Sequence, residues 1–231
     1  MSHQRFCGCR HVPADPSHGP RPFRLPGDPE RFGRPRPFDL RHLRLEVALD
    51  VRARKITARA VLDVTQRDPD ARTLVLDAIA FDVKSVRRVD AGNATLVYRY
   101  DGDQLHIQLG PLSPGGRASI AIEYGAEPKR GLYFIAPREK RPELPHQVWS
   151  QCQDEDAKYW IPCHDFPNMR MSTEFVVTAP EGWTVISNGR LVSRERVDGA
   201  ADANFAQIGA TGPGTERWHW LQEQPHVAYL M

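Results

Sequence analysis

An all-β fold, a multi-stranded sandwich preceded by a proline-rich tail, is predicted by three observations. From Phe38 onward apolar and polar residues alternate with a period of two. Clusters of Gly, Pro, Asn, Asp and Ser break the alternation at short intervals. No stretch carries the three-to-four spacing of an amphipathic helix over about ten residues.

Taken in order, residues 1–37 are of another composition. Pro13, Pro16, Pro20, Pro22, Pro26, Pro29, Pro35 and Pro37 lie among Arg, His and Gly without an apolar period, so a disordered tail is expected there. The folded domain is expected over 38–231. Leu43, Leu45, Val47, Leu49 and Val51, then Ile56, Ala58, Ala60, Leu62 and Val64, alternate with charged or small residues and predict a half-buried hairpin. Shorter runs follow at 74–76, 81–89, 96–100, 105–109 and 120–124. They are separated by Ala91-Gly92-Asn93, Asp101-Gly102-Asp103 and Ser113-Pro114-Gly115-Gly116. The second half adds strands at 174–177, 184–187, 190–197, 204–208 and 217–221, a rhythm that suits a sandwich.

Composition narrows the function classes. The 31 basic and 29 acidic residues leave a formal charge of +2 and are interspersed, so no field toward nucleic acid or a membrane surface is expected. No window approaches the roughly 18 apolar residues of a membrane span, and Met1-Ser2-His3-Gln4-Arg5 lacks the apolar centre of a secretory signal. The expected compartment is the cytoplasm, where Cys7, Cys9, Cys152 and Cys163 are free thiols.

The densest motif runs Gln151-Cys152-Gln153-Asp154-Glu155-Asp156-Ala157-Lys158, then Tyr159-Trp160-Ile161, then Pro162-Cys163-His164-Asp165-Phe166-Pro167. It resembles the signature closing the N-terminal β domain of M1 zinc aminopeptidases and the related leukotriene hydrolases, where Q-x-[EQ]-x-x-x-A-[RK] leads into P-C-x-D-x-P. The resemblance covers about Pro37 to Met231 and implies a saddle-like β domain. It also implies substrate-binding roles: Gln153 receives the α-ammonium of a peptide substrate, and Gln151 borders the pocket for its first side chain. Lys158 stands where Arg is more usual, a weaker partner for any bidentate ion pair.

The chemistry is consistent. An ammonium only donates, so the Gln153 amide oxygen can accept from it, and such a bond contributes about 1.5–3 kcal/mol, one to two decades of preference for a free N-terminus. In an extended segment, residues two apart share a side. The plain alternative is two glutamines facing water.

No His in the chain is followed by Glu, so the H-E-x-x-H pair that would hold zinc and supply the general base is missing. The resemblance therefore implies zinc in a complete enzyme, held by a downstream catalytic domain of the same protein, and no activity in these 231 residues alone. The stretch 218–231 is similar to the family's passage toward that domain and is expected to end at or inside a last strand.

Other clusters read as structural. Asp154, Glu155 and Asp156 cannot converge on one ion from an extended strand and suit a solvated turn. Asp165 between two prolines suits hydrogen bonding to nearby backbone N–H groups, and Cys163, His164 and Asp165 are too close in sequence to work as nucleophile and base. His3, Cys7, Cys9, His11 and His18 could grip a metal but lack apolar surroundings to orient them. Trp149, Trp160, Trp183, Trp218 and Trp220, with Tyr133 and Phe134, suit core packing better than a stacking platform. The rival to the peptidase reading is a non-catalytic β-sandwich scaffold, for which an amine anchor has no use.

Overall fold

The structure is a computed structural model that describes residues 33–112, 115–197 and 214–231. Of the sequence expectations, residues 1–32 of the tail, with its Cys and His residues, and the strand at 204–208 lie outside the described residues, whereas residues 34–37, expected in the tail, are part of the folded unit. Residues Arg34–Met231 form one compact unit.

That unit is built from strands. In chain order they are β1 (Phe38–Asp50), β2 (Lys55–Gln66), β3 (Thr73–Asp77), β4 (Asp82–Arg88), β5 (Ala94–Thr95), β6 (Tyr98–Tyr100) and β7 (Gln104–Gln108). Then come β8 (Arg117–Ala126), β9 (Gly131–Ile135), β10 (Gln147–Gln151), β11 (Met171–Pro180), β12 (Arg190–Val197) and β13 (Thr215–His226). Among the described residues the only helical turns are three 3-10 turns, at Val89–Ala91, Ala157–Tyr159 and Ala228–Leu230.

Eight strands form one sheet in the order β12-β13-β11-β1-β2-β8-β4-β5. β3, β7 and β6 form a second sheet, and β9 pairs with β10 as a separate hairpin. The predicted hairpin is β1–β2, in register from Phe38↔Gln66 to Asp50↔Lys55 with one shift between Leu40 and His42. β1 also pairs in parallel with β11, from His42↔Ser172 to Ala48↔Thr178.

Alternation explains which faces are dry. Leu43, Leu45 and Val47 of β1, Ala58, Ala60 and Leu62 of β2, and Ile120, Ile122 and Tyr124 of β8 are buried on one face of the large sheet. They form one core with Leu74 and Leu76 of β3 and Leu105 and Ile107 of β7, so the small sheet covers the large one as a sandwich. Burying each Val, Leu or Ile among them contributes roughly 1.5–3 kcal/mol. The opposite face carries ion pairs, among them Arg44 to Glu174 at 2.8 Å across the β1–β11 seam.

Two predicted runs differ. Of residues 96–100 only Tyr98–Tyr100 form a strand, pairing with β7, whereas Leu96, whose N–H bonds back to the Val86 carbonyl, and Val97 connect β5 to β6. Residues 184–187 have no strand partner among the described residues and form a loop. The last strand closes at His226, and residues 228–230 turn in 3-10 geometry with Met231 buried behind them.

Candidate functional site

The β9–β10 hairpin delivers the motif. Its register pairs Val148 with Phe134 and Ser150 with Leu132, which puts Leu132 and Phe134 into the core. The intervening residues Gln147, Trp149 and Gln151 therefore share the other face with Tyr133. There the Tyr133 and Trp149 rings stack at 4.7 Å. Core packing thus holds for Trp160 and Trp218, whereas Trp149 is 42% exposed.

Gln151 is the last residue of β10, and Gln153 sits in the turn that follows. Strand alternation therefore does not relate the two amides, as an extended segment would have. The turn does so instead: both side chains are exposed and line the same groove of about 900 Å³. Val47 and Leu49 of β1, Phe175 and Val177 of β11, the 182–188 loop and residues 229–231 complete it. Among the described residues no Asp or Glu side chain lines this groove, and its polar side chains are amides, hydroxyls, indoles and one imidazole, His146.

The turn is held from within. The Asp156 N–H donates to the Cys152 carbonyl at 2.9 Å, and the Trp160 indole N–H donates to Cys152 Sγ at 3.4 Å. Gly131, directly opposite Gln151, adopts φ +78° and admits the Asp156 carbonyl against its Cα. The three acidic residues expected to be solvated are not alike. Asp154 is exposed, Glu155 takes Lys158 Nζ at 3.2 Å, and Asp156 is buried with Arg130 at 3.1 Å.

The P-C-H-D-F-P turn is structural, as expected. Asp165 Oδ2 accepts the Lys158 N–H at 3.1 Å, seven residues back rather than within the turn. Its own N–H donates to Asp77 Oδ2 at 3.0 Å. Burial raises the Asp165 carboxyl to about 6. Burial would raise Asp77 too, but hydrogen bonds from Arg34, Asp165 and Gln104 hold it below the usual carboxylate range. Burial pushes the Cys152 thiol up to about 11 and Cys163 well above the usual thiol range, and it lowers His164. A thiol kept protonated beside an uncharged imidazole is no nucleophile.

A zinc ion does not fit the described residues. Among the described residues no three His, Cys, Asp or Glu side chains form a metal group. His42 and His219 do approach Glu174 at 3.8 and 3.3 Å, but the Arg44 guanidinium already takes Glu174 Oε2 at 2.8 Å. A metal would have to displace one cation to install another.

Solved structures of the same fold are found among zinc peptidases. The M1 zinc metallopeptidase of Deinococcus radiodurans matches with a TM-score of 0.64 at 17% identity, over 84% of this chain and 41% of that one. Yeast LTA4 hydrolase in complex with bestatin matches with a TM-score of 0.64 at 17% identity, over 90% of this chain and 30% of that one. This chain belongs to the family described as the peptidase M1 N-terminal domain, whose model matches residues 38–209. Curated relatives include leukotriene A-4 hydrolase of Xenopus laevis, 26% identical over 160 residues, 67% of this chain and 26% of that protein. A leukotriene A-4 hydrolase homolog of Botryotinia fuckeliana is 25% identical over 218 residues, 89% of this chain and 31% of that protein. The chain thus spans between 26% and 31% of the length of these two relatives.

Proposed function

We propose that this chain forms one wall of an aminopeptidase cleft and captures the free amine of a peptide substrate. Gln153 accepts a hydrogen bond from the α-ammonium, and Gln151 borders the space for the first side chain. The zinc and the general base belong to a separate catalytic domain of the same protein, and the chain alone hydrolyses nothing. What supports this reading most is the convergence of the two amides on one groove although only Gln151 belongs to a strand.

The groove's chemistry limits what this wall does by itself. A neutral amide accepts from an ammonium without cancelling its charge, and among the described residues no Asp or Glu side chain lines the groove. One such bond contributes about 1.5–3 kcal/mol, so the isolated chain binds an amine with a Kd on the order of millimolar or weaker. The wall discriminates between a free and a blocked N-terminus, and the catalytic domain adds the remaining affinity.

The test is a titration of the chain with leucinamide and with N-acetyl-leucinamide, following the side-chain NH2 resonances of Gln151 and Gln153. Leucinamide should shift Gln153, the acetylated compound should not, and Gln153→Ala should abolish the response. Equal response to both compounds would sink the amine-capture reading and leave the scaffold reading in front. In a parallel assay, aminoacyl anilide with added zinc should stay intact.

A further inference from the structure

The residues ahead of β1 are tied to the motif by more bonds than a connecting segment needs. Arg34 sends Nη1 to Asp77 Oδ2 at 2.5 Å and Nη2 to Asp77 Oδ1 at 2.8 Å, a fork on a carboxylate whose side chain is 8% exposed. The Arg34 carbonyl accepts Asn168 Nδ2 at 2.9 Å, and Asn168 Oδ1 lies 3.0 Å from His164 Nε2. Arg36 reaches the Asn168 carbonyl and pairs with Asp39 at 3.0 Å. Pro35 and Pro37 fix φ on either side of Arg36 and keep the segment from coiling back.

From Asp77 the contacts continue in one direction. Its backbone exchanges two hydrogen bonds with Cys163, at 2.7 and 3.1 Å. Its Oδ2 accepts the Asp165 N–H, and Asp165 Oδ2 accepts the Lys158 N–H. The Lys158 carbonyl accepts the Ile79 N–H at 2.9 Å. Lys158 belongs to the 3-10 turn Ala157–Tyr159, which begins where the turn carrying Gln153 is closed by Asp156 and Cys152. Successive residues in this chain of contacts are joined by hydrogen bonds from Arg34 through Asp77 and Asp165 to Lys158, so a displacement at one end is passed to the other.

We infer that Arg34 is a positioning residue for the amine-binding groove: acting through Asp77 and Asp165, it sets the turn that presents Gln153. The inference rests on the amine-capture reading for its purpose but not for its geometry. Arg34 touches neither glutamine. Lysine at this position would keep the charge and lose the fork, so it would hold Asp77 without fixing its orientation.

The experiment uses the 231-residue chain, its Arg34→Ala and Arg34→Lys variants, and two readouts. The first is amide hydrogen exchange at Asp156, Lys158 and Asp165, against amides of the β2–β8 pair. The second is the Gln153 side-chain NH2 resonance with its leucinamide titration. Arg34→Ala should speed exchange at the three amides by about tenfold or more, leave β2–β8 unchanged, move the Gln153 resonance and weaken leucinamide by about tenfold. Arg34→Lys should recover part of each change. If Arg34→Ala unfolds the chain, Arg34→Gln is read in the same way.

Unchanged exchange at the three amides, or faster exchange with an unmoved Gln153 resonance, would overturn the inference. If the unaltered chain fails to bind leucinamide while Arg34→Ala still moves Gln153, the amine reading falls and the positioning role stands.

Discussion

The Asp156 carbonyl oxygen stands where a side chain on Gly131 would begin: a Cβ there would lie 2.0 Å from it. The neighbour is backbone, and it closes the turn that holds Gln153, so it cannot swing aside. Gly131 also has φ +78°, a conformation that costs other residues about 1–3 kcal/mol. Gly131→Ala is therefore expected to lower stability by more than about 2 kcal/mol in urea unfolding, and to move the Gln153 resonance. A variant as stable as the parent would mean that hairpin and turn are not tightly joined.

Asp165 should give stability an unusual pH dependence. Its folded pKa of about 6 lies above the ordinary 3.8, so the folded chain holds a proton that the unfolded chain has released. The stabilising contribution is complete below pH 3.8 and is lost as pH rises to about 6. Asp77 works in the opposite sense, because its lowered pKa contributes stability that is lost as pH falls. Asp165→Asn removes the first effect and retains an oxygen for the Lys158 N–H. Its stability relative to the parent should rise between pH 4.5 and 7.5; a difference independent of pH would count against the buried, proton-holding carboxyl.

Tyr124 is fully buried, stacks on Phe81 at 4.4 Å, and donates its hydroxyl to the Trp160 carbonyl at 2.7 Å. Tyr124→Phe keeps the stack and leaves that carbonyl unpaired, which should cost about 1–3 kcal/mol. The loss should appear in thermal unfolding with the β1–β2 amides still protected. A cost near zero would mean that another donor reaches Trp160.

The two motif thiols should be silent. Cys152 is 1% exposed with a pKa of about 11, and Cys163 is fully buried. Thiol reagent followed by peptide mass spectrometry should label neither at pH 8 in the folded chain and both in urea. Labelling of Cys152 before unfolding would show that the Gln151–Gln153 segment opens readily.

How much of this was legible in the sequence depends on which physical cause set each element. β1, β2 and β8 are buried on one face and polar on the other, so alternation marks them directly. β9 and β10 escape that reading because Gly131–Ile135 is almost wholly apolar and Gln147–Gln151 is mostly water-facing. Residues 184–187 alternate like a strand, yet Ile186 is 82% exposed and lines the groove with no pairing partner among the described residues.

The glutamines were found through a family motif, and what joins them is turn geometry that no periodicity encodes. Arg34 lies among prolines in a stretch that composition assigns to the tail. Its partner Asp77 is 43 residues away, and only the assembled fold brings the two together. The absence of the zinc motif is legible outright, since no His in the chain is directly followed by Glu.

The parallel β1–β11 seam has a consequence for the order in which the chain folds. Arg44 and Glu174, neighbours across it, are 130 residues apart in sequence, whereas β1 and β2 meet through a tight turn. Closing so long a loop carries an entropy that grows only logarithmically with length, but it must be met before any contact across the seam compensates it. The β1–β2–β8 half, rich in nearer pairings, is therefore expected to form first and to serve as the template on which β11, β13 and β12 dock. In kinetic terms, Val177→Ala on the late side should speed unfolding with little effect on refolding, whereas Leu62→Ala should slow refolding.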